Sequence, residues 1–203
     1  MKLAKAVIFD YGVGNLLSLK TALDKVGLEA SIGTSAKELG AADAIALPGV
    51  GAFTAAATKL NAVKDSLLEK VEEGKPLLGV CLGMQLFFEK SEEGPGEGLA
   101  LFKGKTVSLP KTVKVPHMGW NTLNIVGQND FFDGVSEGSY VYFVHSLYPV
   151  PADNSIVAAR TEYGAVFTSA VTCKNVYGTQ FHPEKSGDIG LKILKNFARA
   201  VVR

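Results

Sequence analysis

The segment Leu77-Leu78-Gly79-Val80-Cys81-Leu82-Gly83-Met84-Gln85 constrains the fold more than any other. An apolar, β-like run stops at Val80, and a helix-like stretch follows with no linker between them. A strand that turns straight into a helix forces its central residue into a strained conformation, with the side chain proud of the sheet. The positions two before and two after must be small because the chain folds back on itself. Gly79 and Gly83 meet that need. This is the layout of a nucleophile elbow with cysteine in place of serine. Helix N–H groups directed at Cys81 would favour its thiolate. The alternative is a buried core cysteine beside packing glycines, and these residues alone leave both readings open.

The N-terminal half alternates in the same manner. Ala4–Phe9 reads as a short buried strand closed by Asp10-Tyr11-Gly12. Across Asn15–Gly27, Leu16, Leu19, Leu23 and Val26 step by 3, 4 and 3, one face of a helix. Asn15 fits its N-cap and Gly27 its C-terminal stop. Leu28–Ile32, Ala44–Leu47 and Leu77–Val80 read as further strands, with helices over about 61–73 and over Gly83–Lys90. Strands alternating with helices predict a mostly parallel sheet with helices on both faces. Ser91–Gly98 reads as a polar, glycine-rich surface loop.

Beyond it the texture changes. Lys105–Leu109, Trp120–Val126, Tyr140–Val144, Ile156–Arg160, Val166–Val171 and Val176–Phe181 all read as strands with few helices between them. Antiparallel pairing follows. Ile189, Ile193, Phe197 and Val201 then recur every four residues along a final helix. The expectation is one α/β domain over 1–203 with an antiparallel β annex.

Composition narrows the function. Lys+Arg number 21 against 20 Asp+Glu, a net charge of +1, which argues against coating nucleic acid or an anionic membrane. Two cysteines and three histidines give no disulfide framework and no structural metal site. The first apolar run is broken at Asp10, too short for a signal peptide or a membrane span, so a cytoplasmic protein is expected.

Three further segments can carry chemistry. In Phe181-His182-Pro183-Glu184, alternation in an extended chain puts His182 and Glu184 on one side, where the carboxylate can orient the imidazole. A nucleophile with a distant histidine and its orienter is what acyl transfer needs. A loop histidine with a surface glutamate is the bland alternative. Pro48-Gly49-Val50-Gly51 ends the strand preceding the elbow, and its bare backbone N–H groups can face a developing oxyanion beside Cys81. It lacks the Gly-Lys-Ser/Thr ending of a phosphate loop. Cys173 reads as core, and His117 and His145 stand in segments unusual for mere packing.

Gly79–Gln85 together with Phe181-His182-Pro183-Glu184-Lys185-Ser186 resembles the class I (triad) glutamine amidotransferases. Asp10-Tyr11-Gly12-Val13-Gly14-Asn15, Pro48-Gly49-Val50-Gly51 and Pro116-His117-Met118-Gly119-Trp120-Asn121 narrow the resemblance to the glutaminase subunits of imidazole glycerol phosphate synthases, of histidine biosynthesis. It covers the whole chain. It implies a flavodoxin-like central sheet and a Cys81–His182–Glu184 triad that hydrolyses L-glutamine to glutamate and ammonia, with no cofactor and no metal. It also implies a glutamine site drawn from Gly49, Val50, Gly51, Leu82, Gln85, Glu93 and Ser146. Its partner would be a cyclase subunit, a (β/α)8 barrel, joined in a heterodimer that keeps the ammonia from bulk water.

His117, Met118, Trp120 and Asn121 are expected at that interface, with core packing of Trp120 as the alternative. Leu147 departs from the pattern, since relatives often carry an aromatic after the His-Ser/Thr pair. The runner-up functions are a glutaminase for pyridoxal phosphate or aminodeoxychorismate synthesis and a cysteine hydrolase of the same fold. A catalytically dead binding module is disfavoured by the intact Cys, His and Glu.

Overall fold

The computed structural model describes residues 3–12, 16–49 and 51–202. The first half runs β1 (Ala4–Phe9), α1 (Leu16–Lys25), β2 (Leu28–Gly33), α2 (Ala36–Ala41), β3 (Ala44–Leu47), α3 (Phe53–Asn61), α4 (Lys64–Glu72), β4 (Leu77–Val80) and α5 (Leu82–Gln85). The second half adds β5 (Phe88–Ser91), β6 (Phe102–Ser108), β7 (His117–Thr122), β8 (Asn124–Ile125), β9 (Tyr140–His145) and β10 (Leu147–Pro151). It ends with β11 (Val157–Glu162), β12 (Val166–Cys173), β13 (Val176–Thr179) and α6 (Gly187–Val201).

Eight strands form the main sheet, in the order β2-β1-β3-β4-β13-β12-β11-β8. The first five are mutually parallel. With β13 as fifth strand this is the flavodoxin order, in which sites form outside the carboxyl ends of the strands. Alternation along each strand explains why both faces are covered. Ala6 and Ile8 of β1 and Ala44 and Ala46 of β3 pack with α1 and α6. Val7, Phe9, Ile45 and Leu47 pack on the other side with α2, α3 and α4. A strand apolar at every position can bury both faces only this way.

The antiparallel annex differs in layout from a separate unit. β12, β11 and β8 extend the main sheet antiparallel, while β10-β6-β5 and β7-β9 form two small sheets. The helix expected over Gly83–Lys90 shrinks to the four residues of α5. Leu86, Phe87 and Phe88 are consecutive and wholly buried; the chain turns at 86–87 and extends from Phe88 into β5, which pairs with β6. Helix α2 has a capping box: Ser35 Oγ accepts from the Glu38 N–H, and the Glu38 carboxylate accepts from the Ser35 N–H. Cys173 is half-buried against the second core cluster. The Asn15 cap lies outside the described residues. Among the described residues, no helix is long and apolar enough to cross a membrane.

Candidate active site

Cys81 sits at the end of β4 with φ 47° and ψ −102°, a left-handed conformation that side chains other than glycine rarely adopt. The surrounding glycines show what holds it there. A β-carbon on Gly83 would lie 2.0 Å from the Leu47 carbonyl oxygen, and one on Gly79 would lie 2.4 Å from Phe87 Cζ. Both approaches exclude any side chain, so β3, β4 and α5 close around the cysteine only with glycine at both positions. Because α5 is a single turn, the dipole at Cys81 is that of a few peptides, weaker than a long helix would supply.

Strand β13 brings the histidine. It runs parallel to β4 with Thr179 opposite Val80, so residues just beyond each strand meet at one edge. The His182 N–H donates to the Tyr142 carbonyl at 2.9 Å, and Ser186 Oγ donates to the His182 carbonyl at 2.7 Å. His182 is thereby pinned between β9 and the start of α6. Its Nδ1 lies 2.8 Å from Glu184 Oε1, both side chains being almost fully buried.

Burial works to lower the His182 pKa. The neighbouring Cys81 sulfur, the hydrogen bond to Glu184 and the charges of both outweigh it and push the value up to about 10. The imidazole is therefore a cation at neutral pH, held between a sulfur and a carboxylate. Nε2 makes no hydrogen bond of good geometry, leaving that edge of the ring to the sulfur. Gly49 closes the group: a β-carbon there would lie 2.8 Å from His182 Cε1 and 3.0 Å from Cys81 Cβ.

A cleft of about 320 Å³ opens over these residues. Of the residues expected to bind glutamine, Gly49, Gly51, Leu82, Gln85, Glu93 and Ser146 all line it, and Val50 lies outside the described residues. Glu93 has a second task, since its carboxylate accepts the Phe53 N–H at 2.6 Å and anchors the start of α3. Gln85 is buried, with Nε2 donating to the Leu147 carbonyl at 3.1 Å and to Gln180 Oε1 at 3.2 Å. Leu147 itself borders the cleft.

Gln180 escaped the sequence reading, and its Nε2 lies 3.3 Å from the Cys81 sulfur. Its signal was present: it stands two residues before His182, the same spacing that linked His182 to Glu184. His145 and Lys185 also line the cleft and were not assigned to it.

The Pro116–Asn121 segment divides by alternation. Strands β7 and β9 pair antiparallel, with Met118 opposite Val144 and Trp120 opposite Tyr142. Met118 is 64% exposed and Trp120 54%, so Trp120 is not a core residue. His117, expected at the partner interface, is buried instead. It is 4% exposed, stacked between Phe143 and Tyr163, with Nδ1 3.0 Å from His145 Nε2. The period of two turns every second residue of β7 inward, and His117 and Asn121 lie on the inner side. Asn121 is half-buried and donates to the Glu162 carbonyl at 3.0 Å.

Residues 7–201 match the model of the family described as glutamine amidotransferase class-I. The imidazole glycerol phosphate synthase subunit HisH of Pyrococcus furiosus is 50% identical over 197 residues, covering 96% of this chain and 98% of that one. The subunit of the same name from Methanothermobacter thermautotrophicus is 47% identical over 195 residues, covering 96% and 98%. Among solved structures, PurLQS from Thermotoga maritima superposes with a TM-score of 0.77 at 21% identity, covering 99% of this chain and 98% of that one. A glutamine amidotransferase from the same organism gives 0.67 at 16% identity, covering 91% and 77%, and both establish the fold alone. Matched along nearly its whole length, the chain belongs to the class-I glutamine amidotransferases and, within them, to the family of HisH subunits of imidazole glycerol phosphate synthase.

Proposed function

We propose that this chain is the glutaminase subunit of an imidazole glycerol phosphate synthase, with Cys81, His182 and Glu184 as its catalytic residues. The observation that carries the assignment of residues is the convergence of the elbow sulfur and the imidazole on one cleft, with the buried Glu184 carboxylate behind the ring at Nδ1.

The Cys81 thiolate attacks the side-chain amide carbon of L-glutamine. A C–S bond forms and the carbonyl π pair moves to oxygen. The Leu82 N–H and an N–H from the Gly49–Gly51 loop receive that oxyanion, and loss of one such donor raises the barrier by about 3 kcal/mol. His182 then gives its proton to the amide nitrogen, the C–N bond breaks, and ammonia departs, which the unprotonated amide could not do. A folded-state value of about 10 keeps that proton in place at neutral pH. The now neutral imidazole takes a proton from water, the hydroxide attacks the γ-glutamyl thioester, and glutamate leaves with the sulfur restored. Glu184 holds the ring through Nδ1 in both half-reactions. Gln85 and Glu93 form part of the glutamine pocket, and Ser146 recognises the amino-acid end of the substrate.

Ammonia reacts only when unprotonated and is lost by diffusion, so its acceptor site must be joined to the cleft. Met118, Trp120 and Tyr140 expose an apolar face, and Val144 belongs to both that sheet and the cleft wall. We assign the cyclase subunit to this face, where a half-exposed tryptophan has the character of an interface anchor. Cys81→Ala, assayed with the cyclase, is expected to abolish glutamine-dependent synthesis and to retain synthesis from added ammonia. Full glutamine-dependent turnover by the variant would falsify the assignment.

A further inference from the structure

We propose that Gln180 is a further residue of the active centre: its side-chain amide donates to the Cys81 sulfur, and the Leu147 carbonyl, acting through Gln85, fixes the direction of that bond. The inference rests on Cys81 being the nucleophile.

The main sheet places the pair. The Cys81 N–H donates to the Thr179 carbonyl at 2.6 Å, so the residue after Thr179 comes alongside the cysteine. Gln180 is wholly buried, and its Nε2 lies 3.3 Å from the sulfur. A buried amide must spend both its donor and its acceptor.

Which end faces the sulfur follows from the chain of partners. The Leu147 carbonyl can only accept. It takes one hydrogen bond from His145 Nδ1 at 2.8 Å and one from Gln85 at 3.1 Å. The Gln85 atom there is therefore its NH2 group, whose second hydrogen reaches Gln180 at 3.2 Å. Gln180 must answer with its oxygen, which leaves its NH2 for Cys81. In the other direction, His145 with a proton on Nδ1 accepts on Nε2, so His117 donates from Nδ1 across 3.0 Å. His117 Nε2 then accepts from Asn121, whose NH2 also reaches the Glu162 carbonyl. Two main-chain carbonyls thus set the polarity of every bond between them.

The chain works only with both imidazoles neutral. Burial pushes His117 down to about 4 and His145 to about 3, so both are neutral wherever the enzyme would operate. The ionisable groups around the sulfur are His182, backed by Glu184, with His145, Glu93 and Lys185 lining the same cleft.

A donor on a thiolate favours the ionised sulfur and fixes one lone pair, leaving another for attack. When the C–S bond forms, negative charge moves from sulfur to the carbonyl oxygen, and the Gln180 bond weakens. Part of that charge is still on sulfur in the transition state, so the Gln180 bond favours the ionised sulfur and, in weaker form, its attack.

The test uses the chain in complex with the cyclase and a glutamine-like diazoketone, with Cys81 labelling read by mass spectrometry between pH 6 and 10. Gln180→Met keeps the length and removes the donor. Loss of a hydrogen bond to a charged group predicts labelling about tenfold slower at neutral pH, the deficit closing as pH rises. Wild-type labelling at the ordinary rate with an identical pH profile in Gln180→Met overturns this inference while leaving Cys81 as nucleophile. Failure of the wild type to label at Cys81 overturns the catalytic assignment itself.

Should Gln180→Met not fold, the wild type still decides. In 15N-labelled protein the Gln180 side-chain amide, assigned with Gln180→Glu, must move when iodoacetamide alkylates Cys81. An unmoved resonance overturns the contact.

Discussion

Gly49→Ala probes how closely the loop, the sulfur and the imidazole are packed. The new methyl would stand 2.8 Å from His182 Cε1, and 3.0 Å from both Cys81 Cβ and the Val80 carbonyl oxygen. Ordinary contact begins near 3.4 Å, so the imidazole must yield about 0.6 Å and the other two about 0.4 Å. The Val80 carbonyl belongs to the sheet, and Cys81 is tied through its N–H to Thr179. The ring is the part that moves. Its Nδ1 contact to Glu184, now 2.8 Å, then approaches the limit of about 3.2 Å for a good hydrogen bond. Its other edge shifts relative to the sulfur. A misplacement of about 1 Å costs roughly a hundredfold in rate, so a loss of about 10- to 100-fold in kcat is expected. Overpacking should also remove about 1–3 kcal/mol of stability. Ammonia release from glutamine by the complex measures the first quantity, and urea unfolding of the chain the second. A variant that loses stability while keeping kcat within about twofold would refute the claim that the imidazole absorbs the clash.

Glu184→Gln removes the charge facing His182 Nδ1. Because the folded value of about 10 lies above the unfolded value near ~6.5, the stabilisation is complete below ~6.5 and lost as pH rises through about 10. The wild type should therefore exceed the variant in urea midpoint at pH 7, with the gap narrowing above pH 10; a gap independent of pH would contradict it. His117 and His145 carry the opposite sign. Their folded values of about 4 and about 3 lie below the unfolded one, so stability falls as pH drops from ~6.5 toward those values. His117→Phe should flatten that acid limb in melting temperature against pH, and an unchanged slope would sink the idea. Trp120→Ala should weaken cyclase binding by about 2 kcal/mol, some 30-fold in Kd by calorimetry, with the free chain's melting temperature preserved. Unaltered affinity would remove this face from the interface.

The elbow and the His-x-Glu pair were legible because each rests on local geometry. Gly79, Gly83 and Cys81 must satisfy one tight turn, and His182 and Glu184 share one side of an extended chain. Helix α2 went unread, although Ser35-Ala36-Lys37-Glu38 carries a capping-box signature. The stretch after Gln85 was harder. Leu86-Phe87-Phe88 continues a helical pattern as well as a strand, and only the pairing of Phe88 with Phe102 on β6 decides for β5.

Local order along the chain thus determined the alternating strands and helices, the strained cysteine and the paired histidine and glutamate, since neighbours a few residues apart impose them. Only the tertiary structure decided that β13 returns beside β4, across nearly a hundred intervening residues, and so sets His182 and Gln180 against Cys81. It also turned His117 inward and Trp120 outward on the same strand. Strand register and the pairing of buried polar atoms depend on which distant segments meet, and no local pattern carries that information.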